Sequence, residues 1–135
     1  MIAADSSVVV AAFASWHESH ETASRALDGD VRLPAHAALE SYSVLTRLPS
    51  PHRAKPELVR SFLADRFPEP VLVLDAGAHE RLLDELASLG LTGGAVYDGL
   101  ICATARELEA TLVTCDRRAA ATYDRLRVGF RLLGV

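Results

Sequence analysis

Apolar residues along this 135-residue chain come in two rhythms, short unbroken runs and longer stretches that repeat every three or four residues. Met1 to Ala4, Val71 to Leu74 (VLVL), Thr111 to Thr114 and Phe130 to Leu133 are runs of strand length, and Val31 to Leu33 allows one more short strand. The first run stops on Asp5, and Ser6 and Ser7 suit a helix N-cap before VVVAAF. A second helix carries ETASRAL and ends near Asp28-Gly29-Asp30. Pro34 opens a helix with Leu39, Tyr42, Val44, Leu45 and Leu48 apolar, closed by Pro49 and Pro51. Pro56 to Phe67 is a further amphipathic helix, paired with the previous one as a hairpin. Ala78 to Leu89 follows, with Gly90 as its natural stop. Gly93-Gly94 then leads into a helix from Ala95 to Leu108, and a short helix after Asp116 runs through Tyr123.

Strands alternating with helices, each strand lacking a polar alternation, predict one α/β domain over residues 1–135. Its centre is a mostly parallel sheet of four to five strands with helices on both faces. In such sheets the functional crevice lies beyond the carboxyl ends of the strands, where strand order reverses. Asp5 and Asp116 both stand at such ends. Half of the chain is apolar, enough for a sizeable core. Cys102 and Cys115 have no CxxC spacing, so they suggest neither a disulfide framework nor a zinc site; both read as small buried apolar residues in a reducing compartment. With no signal peptide and no apolar run long enough to span a bilayer, a cytoplasmic protein with no membrane partner is expected.

Net charge is −4, which alone argues against a nucleic-acid partner. The surplus is nevertheless local if Asp5, Glu40, Asp98 and Asp116 form one site, because the remaining acidic residues number fourteen and match the fourteen basic ones. Each of these carboxylates has a plainer use: Asp5 and Asp116 as helix caps, Asp98 as an anion in a first helical turn, Glu40 on a solvated face. Their joint placement changes the weighting. Crowded carboxylates repel and raise one another's pKa unless a cation is present, and an all-oxygen site suits Mg²⁺ or Mn²⁺. Such an ion supports in-line displacement at a phosphodiester without a covalent nucleophile, and Ser6 and Ser7 lie outside any GxSxG context. Ser6 and Thr114 fit as donors that steady Asp5 and Asp116, or a water in the site.

With the opening D-S-S at Asp5 to Ser7, Glu40 in LESYSVLTRLP, Tyr97-Asp98 after Gly93-Gly94, and T-C-D at Thr114 to Asp116, the chain resembles a PIN-domain ribonuclease, and most closely the VapC-type toxins of VapBC toxin–antitoxin pairs. The resemblance spans nearly the whole chain in order. It implies an acidic metal pocket of Asp5, Glu40, Asp98 and Asp116 supported by Ser6 and Thr114. It also implies Mg²⁺- or Mn²⁺-dependent endoribonuclease activity on tRNA or rRNA, a homodimer, and a VapB-type antitoxin that blocks the pocket. A non-catalytic binding module and an Mg²⁺-dependent phosphohydrolase of α/β form are the alternatives. The DSS opening lacks the DxD of a haloacid-type phosphatase, and Lys55 is poorly placed for a receiver domain.

Several further residues are expected to serve structure or solubility. The histidines, including His36 four residues before Glu40, are read as surface positions, and Arg47, Arg117 and Arg118 as solvated charge. The broad apolar stripe on Leu58 to Phe67 is expected to leave a groove for an antitoxin's amphipathic segment.

Overall fold

The computed structural model describes residues 1–134. The chain runs β1 (Ile2–Ala4), α1 (Ser6–Phe13), α2 (His20–Ala26), β2 (Val31–Arg32), α3 (Ala35–Arg47), α4 (Pro56–Arg66), α5 (Ala76–Leu89), α6 (Ala95–Glu107), β3 (Thr111–Thr114), α7 (Arg117–Arg125) and β4 (Phe130–Leu132). The strands form one sheet in the order β2-β1-β3-β4, every pair parallel. Ile2 is registered with Val31 on one side and Thr111 on the other, so the chain adds β2 to one edge of β1 and later returns to add β3 to the opposite edge. That reversal makes the carboxyl ends of β1 and β3 the switch point of the sheet.

Helices cover both faces, because consecutive strand residues, which point to opposite sides, are equally buried: Ala3 with Ala4, and Leu112 with Val113 and Thr114. Leu27, Leu45, Ile101 and Leu126 complete the same core, each apolar side chain of this size contributing about 1.5–3 kcal/mol by leaving water. On the far side of α6, a smaller cluster of Leu74, Ala78, Leu82, Leu86 and Ala103 joins it to α5. Gly99 permits that closeness: a Cβ there would lie 3.0 Å from Leu86 Cδ2. Arg106 reinforces the junction, donating to both Glu85 carboxylate oxygens at 2.9 and 2.8 Å and to the Leu126 carbonyl at 2.7 Å.

One expectation is corrected and one is narrowed. Val71 to Leu74 is not a strand; its one ladder contact is a parallel bridge between Leu72 and Pro34. The Ala35 N–H donates to the Leu72 carbonyl at 2.8 Å and the Leu72 N–H to the Leu33 carbonyl at 2.9 Å, but α3 begins at Ala35 and leaves no extended partner beyond; Val71 and Val73 point to solvent while Leu72 and Leu74 are buried. The stripe on α4 is mostly core: Val59, Leu63 and Phe67 are buried, and Phe62 packs edge-on against Phe13 with ring centroids 5.4 Å apart, while Leu63 and Phe67 also line a cavity of about 490 Å³ with Arg60, Pro68 and Pro70. Leu58 is the exposed member.

Entry to α6 separates two neighbouring glycines. Gly93 has φ +62°, a left-handed conformation that costs a residue bearing a Cβ, whereas Gly94 is right-handed with open space around it. Gly93→Ala is expected to lower stability by about 1–2 kcal/mol, and Gly94→Ala to change it by less than about 0.5 kcal/mol, in urea unfolding. Equal losses at both positions would contradict this assignment.

Candidate active site

Asp5 is the centre of the site's construction. It ends β1 and caps α1, and it is almost fully buried, so its carboxylate depends on protein donors. Ser7 Oγ donates to Oδ1 at 2.6 Å, the Val8 N–H to Oδ1 at 3.3 Å, and the Tyr123 hydroxyl to Oδ2 at 2.8 Å. Ser7 has one hydroxyl proton, and Asp5 takes it. Ser7 Oγ therefore accepts from the Cys115 N–H at 2.8 Å and from Thr114 Oγ1 at 3.3 Å. Thr114 Oγ1 in turn accepts the Asp116 N–H at 3.0 Å. The result is a one-directional chain of donors from the end of β3 to the end of β1. Burial raises the Asp5 pKa, partly offset by the hydroxyls of Ser7 and Tyr123 and the Val8 N–H. Burial also raises Tyr123 far above its ordinary value, which keeps it a neutral donor.

The other acidic residues arrive from three elements. Glu40, in α3, accepts from Ser6 Oγ, and His36 Nε2, one turn earlier, lies 3.8 Å from its Oε2. Asp98 occupies the first turn of α6. Asp116 caps α7, accepting the N–H groups of Arg118 at 2.9 Å and Ala119 at 3.4 Å. Asp5, Glu40, Asp98 and Asp116 together line one cavity of about 520 Å³ at the carboxyl ends of β1 and β3, shared with Arg47 and Arg118. Asp98 carries the electrostatic consequence: burial first, then the carboxylates of Glu40, Asp116 and Asp5, push it up to about 6, with Arg118 opposing.

Among the described residues, no three His, Cys, Asp or Glu side chains converge as a ready metal-binding group. The donor chemistry nevertheless fits Mg²⁺ or Mn²⁺. Mg²⁺ commonly keeps several waters and takes one or two carboxylates, so acidic groups spread around a polar cavity suit it better than a closed cage. After burial, the carboxylates of Glu40, Asp116 and Asp5 add to the rise of Asp98, and that part is the repulsion that such a cation relieves.

Several supporting residues take partners other than those expected from the sequence. Ser6 holds Glu40 rather than Asp5; the hydroxyl on Asp5 is that of Ser7. Thr114 reaches Asp5 through Ser7 and also takes the Asp116 N–H. Tyr123 was not singled out at all, since no spacing in the sequence places a residue 118 positions away beside Asp5. His36 belongs to the site's rim rather than to open surface, and Arg47 and Arg118 face the cavity rather than bulk solvent alone. Helical spacing from Glu40 and adjacency to Asp116 were the available signals. Cys102 and Cys115 are held as thiols, burial pushing them to about 12 and about 11.

The PIN domain family model matches residues 2–125. The chain belongs to the PIN-domain family. Within it, this PIN domain is 54% identical over 133 residues to ribonuclease VapC40 of Mycobacterium tuberculosis, covering 98% of this chain and 99% of that one. VapC20 of Mycobacterium tuberculosis, a sarcin–ricin-loop-cleaving toxin, shares the fold with a TM-score of 0.72 at 20% identity, covering 90% and 94% of the two chains. VapBC2 of Rickettsia felis, solved with a DNA fragment from its promoter, matches with a TM-score of 0.69 at 20% identity over 99% and 100%.

Two measurements probe the geometry of this PIN domain. Tyr123→Phe leaves the buried Asp5 carboxylate one donor short and is expected to cost about 1–3 kcal/mol at neutral pH by urea unfolding; an unchanged midpoint would show that the bond contributes nothing. Burial and then the neighbouring carboxylates push the Asp98 pKa up to about 6 from the ordinary carboxylate range, so its ionised form destabilises the metal-free fold above about pH 6, and that penalty is relieved as pH falls toward about 4. Metal-free Asp98→Asn should therefore melt higher than the parent at about pH 7.5, with the difference closing by about pH 4. A constant difference across that range would place its origin outside Asp98 ionisation.

Proposed function

We propose that the protein is the endoribonuclease toxin of a toxin–antitoxin pair, hydrolysing a phosphodiester of tRNA or rRNA with Mg²⁺ or Mn²⁺ held by Asp5, Glu40, Asp98 and Asp116. The observation that carries this is the convergence of those carboxylates on one polar cavity at the switch point of the sheet, in a chain 54% identical to a VapC ribonuclease. When bound, the ion lowers the pKa of a water and offsets charge that develops on the phosphodiester. The chain's own residues do the rest. Asp5 is held in one orientation by Ser7, Val8 and Tyr123, so it is pre-organised rather than recruited on binding. Asp116 is held by the two N–H groups of α7, and Glu40 by Ser6. Arg47 and Arg118 supply positive charge at an otherwise acidic wall, where an RNA backbone needs it.

A VapB-type antitoxin is the partner that neutralises the toxin, and the active assembly is a homodimer. Support for the antitoxin comes from the likeness to VapC40 over nearly the full length and from the shared fold with VapBC2. Among the described residues, no helix is long and apolar enough to cross a membrane.

Asp98→Asn is expected to reduce RNA cleavage at least about 100-fold while leaving the fold intact by circular dichroism. Chelation with EDTA should abolish cleavage by the parent protein, and added Mg²⁺ or Mn²⁺ should restore it. Cleavage that survives EDTA would refute the metal dependence, and cleavage that survives Asp98→Asn would refute the site.

A further inference from the structure

A second cavity, of about 450 Å³, adjoins the acidic one and shares Glu40, Val44 and Arg47 with it. Its distinctive feature is an aromatic pair. The His36 imidazole and the Tyr97 ring are stacked nearly parallel, 9° apart with centroids at 5.2 Å, and Tyr97 is 54% exposed despite its size. Both rings are tied to acidic residues of the site: His36 is one helical turn before Glu40, and Tyr97 immediately precedes Asp98. Leu39, 71% exposed, and the Ser43 side chain complete the rim.

We propose that the His36–Tyr97 stack is a nucleobase subsite, which receives an unpaired base of the RNA flanking the phosphodiester in the acidic cavity. The inference rests on the ribonuclease function proposed above and adds the feature of the substrate that the enzyme reads. An aromatic ring already ordered by stacking on one side, with half its surface open, accepts a planar base with little further loss of side-chain freedom. Single-stranded RNA is recognised in this way, its splayed bases stacking on Tyr, Phe or His while arginines follow the backbone. Arg47 is placed for the latter role because it borders both cavities. The walls combine aliphatic Leu39 and Val44 with polar edges from Glu40, Arg47, Ser43 and His36, so a base finds both an apolar face to lie on and groups to meet its heteroatoms. Because the pair sits beside Glu40 and Asp98 on the same helices, a stacked base restrains the adjacent backbone close to those carboxylates. The subsite thus confers preference for unpaired segments, such as loops, over continuous duplex.

The test uses full-length protein carrying Asp98→Asn in every arm, so that RNA persists during measurement. Fluorescence anisotropy compares a labelled random-sequence RNA decamer with a labelled decamer of abasic ribose phosphates. The expected result is that Tyr97→Ala weakens binding of the base-bearing decamer roughly 5- to 100-fold and leaves the abasic one unchanged, whereas Tyr97→Phe preserves both affinities. Equal weakening on both decamers, or none on either, overturns the proposal. So does a shift of Tyr97→Ala from dimer to monomer in analytical ultracentrifugation, which would assign this face to a second copy of the chain. Cleavage by the parent protein is scored separately. Base-dependent binding without cleavage removes the nuclease function and retains the base subsite, and cleavage without base-dependent binding removes the subsite alone.

Discussion

A carboxylate buried at the end of a strand has to be solvated by the protein, and meeting that demand for Asp5 organises the whole functional end of the molecule. Its donors come from α1, through Ser7 and Val8, and from α7, through Tyr123. Ser7 is in turn positioned by β3, through Thr114 and the Cys115 N–H. The same residues that neutralise the desolvation of Asp5 therefore bind β1 to β3 and draw α7 over the sheet. Loss of any one donor leaves a charge in a low-dielectric interior, which is why the network is fully connected. The rigidity needed to place a catalytic carboxylate and the stability of the central strands have one origin.

Around this satisfied charge the other acidic residues are left partly unsatisfied, and the contrast is informative. Asp5, although burial raises its pKa too, has donors for both oxygens, while Asp98 is raised to about 6 by burial and then by the carboxylates of Glu40, Asp116 and Asp5. Asp116 serves the fold as the cap of α7 and Glu40 accepts from Ser6, but gathering them with Asp98 about Asp5 sets like charges in one cavity, which opposes folding. The repulsion makes sense as the unpaired half of an interaction with a cation and, through it, with a phosphodiester. Arg47 and Arg118 reconcile this with a net charge of −4: a nucleic-acid partner needs positive charge at its point of contact, not an excess over the whole surface.

The places where sequence and structure diverge share a cause. VLVL has strand composition, yet pairing needs an extended partner, and beside Leu72 the chain turns into α3 at Ala35. The stripe on α4 looks too wide for one contact, but Phe62 finds Phe13 on α1, a partner far away in sequence. Ser6 and Ser7 are chemically identical neighbours, and the 100° turn between them on α1 sends one to Glu40 and the other to Asp5.

The sequence by itself determined the alternation of strands and helices, the parallel sheet, and the candidate carboxylates at strand ends and helix starts. These follow from local rules: apolar runs, caps such as Asp5 and Asp116, and the glycine at position 93 are legible within a few residues. Only the tertiary structure decided which groups hold those carboxylates. Tyr123 on Asp5, the assignment of Ser6 and Ser7, the facing of Arg47 and Arg118, and the stacking of His36 on Tyr97 all depend on contacts between elements brought together by the strand order β2-β1-β3-β4. Periodicity reports which side of a helix faces inward. It carries no information about the distant residue waiting there, because that pairing is set by packing of the whole chain rather than by the backbone geometry of one segment.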